Sequence, residues 1–360
     1  MKLNADILHD NLATLFTVKM KGQKSAELCL ARPSLFTDDL REFQDNSLYI
    51  AKAERLPSRM SVGSNVVVVC TGDAPQLSFY QMRCCVIAIE GNADLFRVFN
   101  AVQSIYNRYD LWYEKLQEIL DRNASIEEML QVSRAVFENP MFVLDSNFHY
   151  LAYTGQEPAK LPLTPFDSGN LGIEELGQFL ELHEPSMHVR EPLLLYLRDT
   201  ETLNFNLFDK DTYIGCLTID CRLRGHRQSD IPFGKVLASV IQLAMQKFSG
   251  ILTDAHNVLR TVLQNVVDGM PVDYDQRGMV EAAQHGKSYI CVKMRLSSRF
   301  AKLPLGYICN RVEASFPGGI AFERKGVVMC FIEAAMEGNQ EQCLQARLRE
   351  KLIVFINSMD

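Results

Sequence analysis

The sequence predicts a multidomain protein of the α/β plus α+β class, and three observations predict it. Two nearly continuous aliphatic runs, residues 66–70 and 84–89, have the composition of strands covered on both faces. Two long stretches repeat apolar residues every seven positions, as helices packed along a seam do. The last part of the chain reads strand, helix, strand, strand, helix. At 360 residues, 47% of them hydrophobic and 22% charged, there is material for two or three domains, each with its own core. Those proportions exclude a disordered, collagenous or membrane-spanning class. A formal net charge of -7 argues against a broad nucleic-acid or membrane-surface footprint.

Residues 1–92 read as an N-terminal α/β sheet domain. A helix is predicted over 1–16, followed by strands at 47–51, 65–70 and 83–89 in a parallel or mixed sheet. The last two strands end in small turns, Thr71-Gly72-Asp73 and Glu90-Gly91-Asn92, at the strand ends where open α/β sheets bind ligands. Neither glycine-rich phosphate cradle accompanies them, so a purely structural turn is the favoured reading.

The ten cysteines are scattered. Cys29, Cys70, Cys216, Cys291 and Cys330 each sit among apolar neighbours, where a free thiol behaves as a small hydrophobe. With no leading signal peptide, that usage predicts a reducing cytoplasm. Adjacent Cys84 and Cys85 are read as one on each face of a buried strand, not as a redox pair. No CxxC, HxxxH or HExxH spacing occurs, so no metal and no cofactor is expected.

Residues 93–124 form a heptad linker helix. Leu95, Val98, Val102, Ile105, Tyr109, Trp112, Leu116 and Ile119 make its seam, with Phe99, Tyr106, Tyr113 and Leu120 as a second column. A second seam within residues 235–268 runs Leu237, Ile241, Ala244, Phe248, Ile251, Ala255, Val258 and Val262, read as one signalling helix that joins two domains. Aligned in a C2 homodimer, both seams would be buried. The expected dimer contacts are Leu95, Val102, Ile105, Tyr109, Trp112, Leu116, Ile241, Phe248 and Ile251. The alternative for the first seam is a long helix buried in its own chain.

Residues 125–250 read as an α+β domain. Ser125 with Glu128 is a capping box that opens a helix at 126–137. A hairpin of strands 141–144 and 148–153 follows, then a Pro- and Gly-rich loop at 155–172 and a helix at 173–182. Strands come at 188–196, 203–208 and 213–222, and Ser229, Asp230 and Pro232 start the second long helix. The stretches FVLDSNFHYLAYTG and DTYIGCLTIDCRL resemble the opening hairpin and late strands of GAF- or PAS-like sensor domains. That resemblance implies a small molecule between the sheet and a crossing helix and loop. The side chains that would meet it are Tyr150, Tyr153, His188, Arg190, Tyr196 and Thr218. Each has a plainer alternative, as a core tyrosine with a bonded hydroxyl or a surface ion pair.

Residues 285–360 place strand 289–296, helix 305–315, strands 319–323 and 327–333, and helix 340–357 in the order of a ferredoxin-like palm. This resembles the GGDEF-like domain of the PucR/CdaR transcription regulators, and the whole chain resembles them more loosely. A working cyclase palm needs carboxylates to hold two metal ions. Here the first strand carries Lys293 and Arg295, and the hairpin reads Phe322-Glu323-Arg324-Lys325-Gly326. A degenerate palm with no catalytic residues is expected. The stripe Leu344, Leu348, Leu352 and Phe355 ends the chain with no closing strand, so an incomplete palm is expected, with operator DNA bound only through a missing C-terminal helix-turn-helix.

The function implied is the ligand-sensing, dimerising region of a cytoplasmic bacterial regulator that controls a catabolic operon in response to a small metabolite. A ligand-free dimeric scaffold is one alternative. A nucleotide-processing enzyme is another, disfavoured by the missing carboxylates.

Overall fold

The computed structural model describes residues 1–91, 93–155, 165–166, 170–171, 176–177, 180, 184–197, 200–251, 255–272, 278, 288–297, 303–334 and 349–355. The protein is a mixed α/β, multidomain chain that divides into two compact units, residues 1–124 with 225–240, and residues 125–224 with 241–360.

In the first unit, helix α1 (Ala5–Leu12) is opened by Asn4, whose Oδ1 accepts from Ile7 N at 3.0 Å. It is shorter than the predicted span because Leu3 pairs with Leu30 as an extended bridge instead of joining the helix. Strands β1 (Val18–Lys21), β2 (Ser34–Leu35), β3 (Glu42–Phe43), β4 (Leu48–Lys52), β5 (Ser61–Val62) and β6 (Val67–Thr71) follow. Helix α2 (Leu77–Gln81) then leads into β7 (Cys85–Ile89). Five of these strands form one sheet in the order β1-β7-β6-β4-β2, with β1 antiparallel to β7 and the other pairs parallel. The sheet is therefore mixed. β1 eluded the aliphatic-run criterion because it alternates Val18 and Met20 with two lysines. Cys84 and Cys85 are both buried, and burial pushes each thiol up to about 12, which makes them inert at neutral pH.

Helix α3 (Leu95–Asp121) has the predicted extent, but its seam turns inward. Val102, Ile105, Tyr109, Trp112 and Leu116 are all buried within this single chain, and Leu95 is half-buried. Their partners lie in the same unit. Asn11 of α1 donates to the Tyr109 hydroxyl at 3.0 Å, and Phe233 packs on Tyr109 and Trp112 with ring centroids 4.3 and 5.5 Å away. Tyr106, in the second column, donates to Ala31 O at 2.8 Å. A homodimer built on this seam is corrected accordingly: the apolar edge is already covered by its own subunit, so exposing it to a twin would cost burial instead of gaining it.

The second unit opens with α4 (Ile126–Phe137), where Ser125 Oγ accepts from Glu128 N at 3.3 Å as the capping box requires. Strands β8 (Met141–Asp145) and β9 (Tyr150–Tyr153) form the expected hairpin. After the short pair β10 (Pro165–Phe166) and β11 (Asn170–Leu171) come β12 (Leu193–Leu197), β13 (Thr200–Asp209) and β14 (Thr212–Asp220). The large sheet is antiparallel throughout, in the order β12-β13-β14-β8-β9. Gly215 sits in β14 with φ +152°, and a Cβ there would fall on the Leu144 carbonyl, so only glycine lets β14 approach β8 at this point. The predicted loop at 155–172 and helix at 173–182 lie largely outside the described residues. Leu176 and Leu180, which are described, are helical and buried.

Helix α5 (Asp230–Ile251) and helix α6 (Ala255–Asp268) carry the second seam. Ile241 is fully buried in its own chain, so it too is corrected as a dimer contact. The side chains of Phe248 and Ile251, and residues 252–254, lie outside the described residues, as does the continuity of one helix through 237–262.

The last part of the chain holds β15 (Ser288–Met294), α7 (Leu305–Ser315), β16 (Ile320–Arg324) and β17 (Val327–Ala334). β17 lies between β15 and β16 and is antiparallel to both, the split β-α-β arrangement that the element order implied. Lys325 and Gly326 both have positive φ, 50° and 75°, which is the two-residue hairpin turn of the twisted type. Residues 349–355 are helical, and the rest of the predicted last helix lies outside the described residues. Cys291 is exposed, contrary to its apolar neighbourhood in sequence, because alternate residues of β15 face away from the core.

Candidate functional site

Cross-strand register assembles one face of the antiparallel sheet. Asn204 pairs with Thr218, Thr218 with Phe142, and Phe142 with Tyr153, so all four point to the same side. Tyr150 and Tyr153 are three residues apart and would normally face opposite ways. The register shift between Val143 and Leu144 brings both onto this face, with ring centroids 6.5 Å apart, and Tyr150 packs 5.4 Å from Phe142.

A polar ladder crosses this otherwise apolar surface. The Thr218 hydroxyl donates to Asn204 Oδ1 at 2.7 Å, and Asn204 Nδ2 donates to Thr202 Oγ1 at 2.9 Å. Thr202 Oγ1 in turn donates to Leu195 O at 3.1 Å. All three residues are buried. Leaving such groups unpaired would cost about 1–3 kcal/mol each, so the ladder has to close on itself. Its donors are engaged within the sheet, while the oxygens of Thr218 and Asn204 keep acceptor capacity. The face can therefore take an N–H or O–H donor.

Two further groups at its edge are perturbed by burial. The Tyr213 phenol is pushed well above its ordinary value, and the neighbouring Cys216 thiol is raised. Asp145, at the end of β8, is also raised by burial, although its Oδ1 accepts from Asn147 N at 2.8 Å and His149 N at 2.9 Å.

Of the six predicted contacts, Tyr150, Tyr153 and Thr218 share this face. His188, Arg190 and Tyr196 do not. His188 is exposed at the end of a 3-10 turn, Glu184–His188, not at the start of a strand. Pro192 lies just before β12, and Asn206 donates to the carbonyls of Ser186 and Val189 at 2.8 Å each, which holds this segment as a turn. Arg190 is exposed over the Phe208 ring at 4.5 Å and donates to Lys210 O at 2.6 Å, closing the β13–β14 turn. Tyr196 pairs with Glu201 on the opposite face and is 66% exposed. Sequence reading missed Thr202, Asn204 and Asn206. Their signal was present, since polar residues at every second position of an apolar strand place three polar groups on one face.

Helix α7 shares a core with this sheet. Phe142, Leu144, Tyr150, Leu176 and Leu180 belong to the same apolar cluster as Tyr307, Ile308 and Val312 of α7. Gly306 lies against Asn147 of the β8–β9 turn so closely that a Cβ would strike the amide. At the β16–β17 hairpin, Arg324 pairs with Asp268 of α6. Among the described residues no group of three or more His, Cys, Asp or Glu could hold a metal ion, and no helix is long and apolar enough to cross a membrane.

No family model and no curated protein matches the chain. Among solved structures it is similar to the GAF domain from a phosphoenolpyruvate-protein phosphotransferase of Coxiella burnetii, at 15% identity and a TM-score of 0.25, covering 40% of this chain and 98% of that one. It is also similar to a chain of the E. coli DhaR(N)-DhaL complex, at 10% identity and a TM-score of 0.23, covering 64% of this chain and 90% of that one.

Proposed function

We propose that this chain is the ligand-sensing region of a transcription regulator of the PucR/CdaR kind, with residues 125–224 as a GAF-like sensor. The observation that carries the reading is the buried Thr202–Asn204–Thr218 ladder on the face that also bears Tyr150 and Tyr153. Its effector is a small metabolite that offers hydrogen-bond donors to the ladder and an apolar or aromatic body to the tyrosines. Purines have that form, and so do aromatic acids whose ring carries a hydroxyl or amine. The palm serves as a scaffold: Lys293, Arg295 and Arg324 stand where metal-binding carboxylates would be needed, so no nucleotide turnover is expected with Mg²⁺ or Mn²⁺. Regulators of this kind contact DNA through a helix-turn-helix, and the proposal assigns sensing, not DNA contact, to the residues described.

A thermal-shift screen against purines, aromatic acids and related metabolites tests it. A sensor ligand raises Tm by mass action, and the gain is lost in Thr218→Val and Asn204→Leu. A panel with no shift, or a shift that survives both substitutions, overturns the assignment. The second reading, a scaffold without ligand, is favoured by the closure of the ladder and the shared core with α7.

A further inference from the structure

We propose a second binding site, in the first unit, for a small non-aromatic zwitterion of the amino-acid class. The parallel strands β4, β6 and β7 end side by side. Beyond their carboxyl ends lies a cavity of about 290 Å³, whose polar side chains are Lys52, Glu54, Thr71, Asp73 and Asp94. The two turns noted in the sequence, after β6 and after β7, both reach it through Gly72 and Gly91. Each glycine has positive φ, 79° and 81°, and a Cβ added at either would meet nothing within 4 Å. They are glycines for the sake of the turn, and they leave backbone open to the cavity.

Three groups here lack partners among the described residues. Thr71 is 7% exposed, yet no hydrogen bond engages its hydroxyl. Neither Lys52 nor Glu54 forms an ion pair. Lys52 and Thr71 are register partners on neighbouring strands, so their side chains leave the sheet on the same side. The Thr71 hydroxyl opens to the cavity without a partner, and Lys52 and Glu54, both exposed and neither in an ion pair, stand beside it, so all three can engage a ligand.

The charges define the ligand class. Asp94 Oδ1 already accepts from Arg97 N at 2.9 Å as the cap of α3, while the first-turn amide of Leu95, which lines the cavity, has no helical acceptor, like the other amides of that turn. Lys52 and these amides suit a carboxylate. Glu54 and Asp73 suit an ammonium. The lining carries one positive and three negative side chains, which disfavours a bare anion such as phosphate; Lys52 supplies the contact that a zwitterion would use and a bare amine would not. Lys19, which Glu90 and Asp73 hold above its ordinary pKa, pairs with Glu90 and so leaves the cavity's charges as counted. No aromatic ring lines the cavity, so a flat base has nothing to stack on.

The test is calorimetric titration of the full chain with each standard amino acid, its decarboxylated amine and its N-acetyl derivative. At least one amino acid should bind saturably, with the amine and the acetylated form each weaker by about tenfold or more, since each loses one charged contact. Thr71→Val and Lys52→Ala should each weaken binding by a similar factor, whereas Thr218→Val should leave it unchanged. Absence of binding by every amino acid overturns the proposal. So does equal binding of the amine, or binding that survives Thr71→Val and Lys52→Ala together. Any of these three failures leaves the sensor reading of residues 125–224 standing, because that rests on Thr218.

Discussion

The two five-stranded sheets place their polar side chains in opposite ways. In the first unit, Val67, Val68, Val69 and Cys70 of β6 are all buried, and the first polar side chain appears only at the strand's end, with Thr71. In the second unit, β13 carries Thr202, Asn204 and Asn206 on one face along its middle. Connectivity explains the difference. Parallel strands need crossover connections, which cover both faces of the sheet and leave open space only beyond the strand ends. Antiparallel strands connect by short turns, so one face can be closed by segments arriving from elsewhere. In this chain those include the 184–188 turn and, through the shared core, helix α7. A polar group tolerated at the rim of the first sheet has to be bonded into a ladder in the second.

Substitutions should separate the two sheets, beginning with the largest effect. Trp112→Ala should destabilise the first unit by about 3–5 kcal/mol, seen as faster amide exchange over 95–121, with molecular mass unchanged. A change of mass with unchanged exchange would restore the dimer seam. Gly215→Ala should cost about 3 kcal/mol and act in the second unit alone, because the added Cβ collides with β8 in a backbone conformation that disfavours it. Thr218→Val should cost about 1–2 kcal/mol in urea unfolding, the price of leaving Asn204 half-paired.

A pH series on Asp145 sharpens the contrast further. Burial raises its folded pKa above the ordinary carboxylate value, so the folded state binds the proton more tightly than the unfolded chain does. Its stabilising contribution is full below the unfolded pKa and is lost as pH rises through the folded value. Asp145→Asn keeps the acceptor for the Asn147 and His149 amides and removes the charge. The variant should be more stable than the parent at neutral pH, and the difference should fade as the pH falls into the carboxylate range. A constant difference would mean that the charge is not what burial opposes. Smallest of all, Tyr196→Ala should change stability by no more than about 0.5 kcal/mol, since the ring stands mostly in water.

Local signals in the sequence were reliable where the physics is local. The Ser125 cap, the extents of α3, α4 and α7, and the hairpin at Lys325-Gly326 are visible in consecutive residues. The candidate face was half legible. Tyr150 and Tyr153 share it only because of a bulge, which no alternation rule foresees; His188 and Arg190 lie before β12, which starts only after Pro192, and Tyr196, inside β12, points to the opposite face. Asn204 is legible as one of three alternating polar residues, but its partner is not, because Thr218 lies fourteen residues away and meets it only through register.

From its residues alone the chain determined its elements, because helix caps, turn glycines and hydrophobic periods act through neighbours a few positions apart. Tertiary structure alone decided what each apolar edge meets. Burial of apolar surface is non-directional, so the stripe from Val98 to Ile119 reads identically whether a twin helix or Phe233 and α1 cover it. The same holds for the turns after β6 and β7, which were separate in sequence until the parallel register of the strands brought Thr71, Gly72 and Gly91 to one cavity.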